Sequence, residues 1–233
     1  MKFWALFFSV FISFGLSSQE YFLFTGRVVA FTKIPLEKIT VAARKSNAKV
    51  KTDKQGKFEI KIIKKDVLTF SADGFESVRY RVKNAELNPD INMKFINTPE
   101  NREIAVGMGY LSEDMLATGV QQINTEALRT GEYTNIYDLI RAKVPGVQLI
   151  QENGITKFKI RGNTSVYASE GAMFIVNGMQ VNDISFLSPF DISNVTLLKD
   201  AAAAEYGVRG ANGVIIIETA RAKDPRTGYK SKN

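Results

Sequence analysis

The chain has 233 residues, with 31 Lys and Arg against 24 Asp and Glu, and neither His nor Cys. Without Cys there is no disulfide, thiolate nucleophile, iron–sulfur cluster or lipid carried on an N-terminal Cys. Without His there is no Ser-His-Asp triad and no His-ligated zinc or haem, so an enzyme would work with carboxylates, Lys, Tyr or Ser alone, and the reading is of a non-enzyme. Hydrophobic content of 45% and aromatic content of 11% place the chain among globular proteins, long enough for one ordinary domain or two small ones.

Met1-Lys2 is followed by an apolar run from Phe3 to Leu16, then Ser17-Ser18-Gln19-Glu20. One positive residue, a run of 14 apolar-rich residues and small residues before a polar break predict a secretory signal peptide over 1–18, cleaved after Ser17 or Ser18. A membrane-spanning helix needs roughly 20 such residues. The expectation is an exported, soluble, non-lipidated chain held together by packing alone.

From Glu20 to Ile96 the sequence reads as short strands with turn punctuation. Phe22–Val29 and Ile39–Ala43 are apolar-rich, and Lys57-Phe58-Glu59-Ile60-Lys61-Ile62 alternates strictly, the period of a half-buried strand. Asp53-Lys54-Gln55-Gly56 is a turn, and Asp73-Gly74 turns between the runs Val67–Ala72 and Ser77–Val82. Such spacing predicts a β-sandwich over 20–96. It carries 16 basic and 9 acidic residues, with the lysines scattered along alternating strands. Nucleic-acid binding would gather them in a stripe with aromatics between.

Asn97-Thr98-Pro99-Glu100-Asn101 is polar and contains Pro, and 97–110 reads as a linker. Beyond it the balance reverses to 10 basic and 14 acidic residues between Thr98 and Ala222, and 223–233 is a basic tail. Thr134–Ala142 has a cap and helical spacing, ended by Val144-Pro145-Gly146. Phe158–Gly162 and Met173–Val176 read as strands, with Asn177-Gly178 turning into Met179-Gln180-Val181. Val195–Leu198 is another strand. Asp200 caps a short helix through Tyr206, stopped by Gly207, before the apolar strand Val214–Thr219. The result is a mixed α/β domain over 111–222.

Gly207-Val208-Arg209-Gly210-Ala211-Asn212-Gly213 invites a phosphate-loop reading. It follows a helix and precedes a strand, the reverse of that motif's order, and lacks the Gly-Lys-Ser/Thr ending, so the glycines serve a tight connection. No paired carboxylates sit in an apolar setting; Asp90, Asp183 and Asp191 lie beside Pro, Asn or Ser, as turn-forming residues do. No calcium-loop spacing occurs. No cofactor, metal or small-molecule substrate is expected. Arg161, Glu170, Lys199 and Arg209 are either ordinary surface charges or groups facing a polar barrel wall.

The stretch Asn194–Ile217, through Leu197-Leu198-Lys199-Asp200, Glu205-Tyr206-Gly207 and Arg209-Gly210-Ala211-Asn212-Gly213, resembles the closing segment of the plug domain of TonB-dependent outer-membrane receptors of the SusC/RagA type. Val144-Pro145-Gly146-Val147, Ile160-Arg161-Gly162 and Phe174-Ile175-Val176-Asn177-Gly178 fall in that family's order, with Asn177 where Asp is common. Gly26-Arg27-Val28-Val29, Thr52–Phe58 and Asp73-Gly74-Phe75 resemble the carboxypeptidase-regulatory-like, transthyretin-like β-sandwich that precedes such plugs. The resemblance implies an α+β chain, a sandwich followed by a plug, in the periplasm against the outer membrane. A receptor's barrel of many strands of ~10 residues would have to come from another chain, the type 9 secretion translocon or a SusC-like barrel. The expectation is a plug that blocks such a channel in trans. A detached front end of a nutrient receptor and a periplasmic peptide- or glycan-binding scaffold are the alternatives. Glu103-Ile104-Ala105-Val106 lies where the family carries its TonB-contacting stretch, which binds by adding a strand; a plain linker is the other reading.

Overall fold

A computed structural model describes residues 20–83, 88–123, 133–160 and 171–220. The first half is a sandwich of two four-stranded sheets. In one, β1 (Tyr21–Ala30) is flanked by β2 (Ile34–Pro35), β5 (Lys57–Ile63) and β8 (Asp90–Met93); in the other the order is β4 (Lys49–Lys51), β3 (Thr40–Ala43), β6 (Val67–Ser71), β7 (Val78–Arg81). Period-2 alternation decides which side faces in: Phe58, Ile60 and Ile62 of β5 are buried, while Lys57, Glu59 and Lys61 are exposed. They meet Phe24, Val41, Leu68, Phe70 and Tyr80 in the core. β1 pairs antiparallel with β5 from Tyr21↔Ile63 to Arg27↔Lys57, and parallel with β8 from Arg27↔Asp90 to Ala30↔Met93.

Asp66 is fully buried, and its carboxylate accepts four hydrogen bonds. These come from the amides of Lys45 at 2.8 Å, Ser46 at 2.9 Å and Val67 at 2.7 Å, and from the Ser46 hydroxyl at 2.6 Å. Burial alone would raise its pKa, but the Ser46 hydroxyl and the three amides together hold it below the ordinary carboxylate value. The loop 44–46 is thereby tied to the start of β6.

Residues 97–110, which read as a linker, instead contain a helix, α1 (Pro99–Gly107). The Thr98 hydroxyl accepts from the Asn101 amide at 3.2 Å and Pro99 occupies the first turn, the preferred chemistry for a helix start. Ala105 is fully buried. Arg102 donates to Asn97 Oδ1 at 2.6 Å and to the carbonyls of Leu116 at 2.8 Å and Val120 at 3.4 Å. It thus fastens α1 to a π-helical turn, Met115–Gly119, and to the strand that follows.

The second half is built on a mixed five-stranded sheet. Its order is β13 (Met179–Val181), β12 (Met173–Val176), β15 (Val214–Thr219), β14 (Ile192–Leu198), β9 (Val120–Ile123). β12 and β15 are parallel and the remaining pairs antiparallel. A hairpin, β10 (Val147–Glu152) and β11 (Ile155–Ile160), and the helix α2 (Ile136–Lys143) complete it. The α2 cap is Asn135, whose side-chain oxygen accepts from the Tyr137 amide at 2.7 Å, one residue later than the expected Thr134. Asn177 and Gly178 take φ of 50° and 83°, the left-handed pair that closes the β12–β13 hairpin.

The inner strands of the sheet, β12, β15 and β14, are buried on both faces. Phe174, Val176, Val195, Leu197, Ile215 and Ile217 pack with Ile136, Leu139, Ile140 of α2 and Phe158 of β11 in one apolar cluster. Their sequence neighbours Ile175, Leu198, Val214 and Ile216 belong to the other cluster, which continues through Ala105, Tyr110 and Leu111 into Phe31, Phe75 and Phe95 of the sandwich. The sandwich and the sheet domain therefore share one core.

Two expectations follow. Asp66→Ala removes the buried acceptor for three amides and a hydroxyl and should lower unfolding free energy by about 3 kcal/mol at pH 7 in urea titrations. Because the folded-state pKa is depressed, this contribution is full above the ordinary value of 3.8 and fades as pH falls through the lower folded value, so the gap between wild type and variant should shrink at pH 3 and below. Gly213→Ala should cost about 2 kcal/mol or more by the same measurement. Gly213 has φ of 89°, and a Cβ there would overlap Ile160 and sit 3.1 Å from the Leu198 carbonyl oxygen.

Candidate functional site

The connection from β14 to β15, residues 199–213, carries Lys199 and Arg209, two of the four charged residues read as facing a barrel wall. It opens with Lys199, which caps the short helix α3 (Asp200–Ala204) through its backbone without a side-chain bond; Asp200, expected as the cap, is the first helical residue, exposed and at φ of 51°. Lys199 donates its amide to the Gly119 carbonyl at 2.9 Å, joining α3 to the π-helical turn. Ala202 and Ala203 are buried against the shared core. Gly210 follows in a 3-10 turn, Gly207–Gly210, where a Cβ would run into the Ala203 carbonyl. Gly210 and Gly213 are thus requirements of packing, whereas Gly207 has open space around it and serves its φ of 67°. Arg209, in the same turn, is exposed, and Lys199 is half-buried. Both are on one connection of the domain. Arg161 and Glu170 lie outside the described residues.

Tyr206, in the middle of this connection, was not singled out as a site residue. It is 6% exposed. Its hydroxyl donates to the Phe31 carbonyl and accepts from the Thr32 hydroxyl at 2.5 Å, and the Lys33 ammonium lies 5.1 Å from its ring centroid. Burial pushes the phenol up to about 12, the Thr32 bond opposing only in part. Phe31 and Thr32 form the β1–β2 turn at φ of 48° and 68°, a region that aromatic and β-branched residues rarely enter. No local signal links a tyrosine to a turn 174 residues away.

At β15's far end Glu218 is held in a low-dielectric setting. Burial raises its pKa, while the Asn194 amide, donating at 3.3 Å, and the Lys94 ammonium oppose the shift and Glu76 adds to it. Lys94 and Glu76 themselves pair at 3.2 Å. Asn177 ties the hairpin to the same end of β15: its Nδ2 donates to Thr219 Oγ1 at 3.1 Å and its Oδ1 accepts from the Thr219 amide at 2.9 Å. An aspartate at 177 could only accept, so the family's more common residue would lose one of these bonds.

Tyr137 of α2 donates to Asp183 Oδ1 at 2.5 Å and accepts from the Ile184 amide at 3.3 Å; its phenol is raised to about 12, first by burial and then by that carboxylate. The group holds the 182–188 loop and offers no nucleophile. Around it the surface is unusually apolar, with Met179, Phe186 and Phe190 each more than 60% exposed. The segment Glu103–Val106 lies within α1: Glu103 and Ile104 face solvent while Ala105 is in the core. Strand addition at these residues would require α1 to unwind. Among the described residues no three acidic side chains gather as metal ligands would.

Residues 113–214 match the family described as the TonB-dependent Receptor Plug Domain. The chain is 29% identical over 196 residues to the TonB-dependent receptor SusC of Bacteroides thetaiotaomicron, an alignment covering 78% of this chain and 19% of the receptor. It is 28% identical over 204 residues to the TonB-dependent receptor P39 of Formosa agariphila, covering 85% and 20%. The chain thus spans about a fifth of the length of these curated relatives. Among solved structures, one chain of the RagAB peptide importer in its open-open state is 33% identical, over 43% of this chain and 12% of that one, with a TM-score of 0.36. The siderophore receptor PirA from Acinetobacter baumannii is 24% identical over 47% and 18%, with a TM-score of 0.38. The matched stretch runs from just before the π-helical turn to the first residue of β15 and takes in the whole glycine-bearing connection. The chain is SusC-like and carries a TonB-dependent receptor plug domain.

Proposed function

We propose that this plug domain obstructs the lumen or periplasmic mouth of an outer-membrane β-barrel carried by another chain, from a position in the periplasm against the outer membrane. The observation that carries the reading is the plug match over residues 113–214. A steric block asks for a body that keeps its shape, and the five-stranded sheet, its inner strands buried on both faces, supplies one. Barrel interiors are polar and hydrated. Lys199 and Arg209, with Arg161 and Glu170, are the groups we propose face that wall. The type 9 secretion translocon is the partner to test first, a choice that rests on the resemblance to SusC-like proteins. In planar-bilayer recordings of the purified translocon, adding the chain without residues 1–18 should cut conductance to a tenth or less. An unchanged conductance would overturn the reading.

A second reading, the front end of a TonB-dependent nutrient receptor, is favoured by the alignments to SusC-type receptors, which cover 78% and 85% of this chain and so extend beyond the plug. The helical state of Glu103–Val106 favours the first, because strand addition to TonB would forfeit the Ala105 burial and the Arg102 bonds. Replacing the two exposed residues, Glu103→Ala with Ile104→Ala, separates them. Blockade should be unchanged within twofold under the first reading, while energised uptake by cells should fall at least tenfold under the second.

A further inference from the structure

We propose that the β-sandwich is a brake on the plug, with Tyr206 as its latch: the 199–213 connection can rearrange only after the Tyr206 side chain leaves its seat in the β1–β2 turn. The inference deepens the plug reading and rests on it for its functional consequence. Its structural basis is the pairing of a plug side chain with a sandwich turn that is costly to form. Phe31 and Thr32 both hold left-handed backbone, where neither residue is favoured, and such conformations persist only when their surroundings fix them. Contacts from both halves do so. From within the sandwich, Asn92 Oδ1 accepts from the Thr32 amide at 3.0 Å and the Lys33 amide donates to the Ala30 carbonyl at 3.2 Å. From the plug, the Tyr206 hydroxyl donates to the Phe31 carbonyl and accepts from the Thr32 hydroxyl.

The latch is sited where the plug has least slack. Tyr206 shares its buried cluster with Ala202 and Ala203 of α3, donates its amide to the Ala203 carbonyl at 3.0 Å, and lies against Gly210, where a Cβ would meet the Tyr206 Cβ. The same apolar cluster runs from Phe31 through Tyr206 to Val214 and Ile216 of the central strand. Withdrawing the ring would bring a 6%-exposed phenol into water and leave the Phe31 carbonyl without this partner. At the other end of β15, Glu218 lies in the field of Lys94 and Glu76 of the sandwich, so the central strand meets the sandwich at both ends.

Because the chain has no Cys, two introduced cysteines carry spin labels without background. Lys54→Cys in the sandwich and Gln180→Cys in the hairpin β12–β13 are exposed positions. Double electron–electron resonance on this labelled full chain, without any barrel, should give one narrow distance distribution. Adding Tyr206→Phe, or Thr32→Val as an independent variant, should at least double its width while the circular-dichroism spectrum stays that of the parent. A width unchanged in both variants would overturn the latch. In the bilayer assay, the Tyr206→Phe chain should still block, but with the open fraction of time raised at least fivefold. A block as steady as the parent's would overturn the brake while leaving obstruction itself intact, and absence of any block by the parent would instead overturn the plug reading.

Discussion

Everything in this chain turns on the need to cover two faces of one sheet. The alternating side chains of β12 and β15 are apolar on both sides, with Val214, Ile215, Ile216 and Ile217 of β15 all buried. A strand of this kind is stable only between two layers. One layer is supplied by α2 and the β10–β11 hairpin, the other by α1, α3 and, through the continuous apolar cluster, the sandwich. The four side chains that face the sandwich cluster are worth about 2 kcal/mol each when buried. A single neutral hydrogen bond contributes about 1 kcal/mol net. Burial therefore holds the halves together, and the polar contacts at Tyr206 and Glu218 fix how they are aligned.

This division of labour bears on α1. A segment between two domains that merely connected them would need no cap, no buried alanine and no arginine bridging three backbone or side-chain acceptors. α1 has all of these. It belongs to the covering layer, and a partner that engaged it as a strand would first have to dismantle part of that layer. The family resemblance alone points to an accessible peptide; the local physical chemistry points to a structural helix.

The sandwich was legible in the sequence because its strands alternate cleanly, as in Lys57–Ile62, and its turns carry Asp and Gly at the right offsets. The short strands that escaped notice, β2, β4, β8 and β9, are two to four residues long and are defined by their partners more than by their own pattern. The β10–β11 hairpin also escaped, although Asn153-Gly154, with φ of 50° and 76°, carries the same dipeptide read correctly at Asn177-Gly178. In 97–110 the Pro99 that argued for a boundary is compatible equally with a helix start, and Thr98 before it is the cap. The plug's closing connection was recognisable from its glycines; packing explains Gly210 and Gly213, and a left-handed backbone explains Gly207. The seat of Tyr206 was not readable, since tertiary contacts across 174 residues leave no periodic trace.

The order of strands has a kinetic corollary. β15, the latest strand in sequence among the described residues, occupies the centre of its sheet, between β12 and β14. A nascent chain that has not yet delivered residues 214–219 can pair β12 with β13 and β14 with β9, but it cannot join the two ribbons, so closure of the sheet must await β15. The central strand thus acts as the last tie between two ribbons that are otherwise separate.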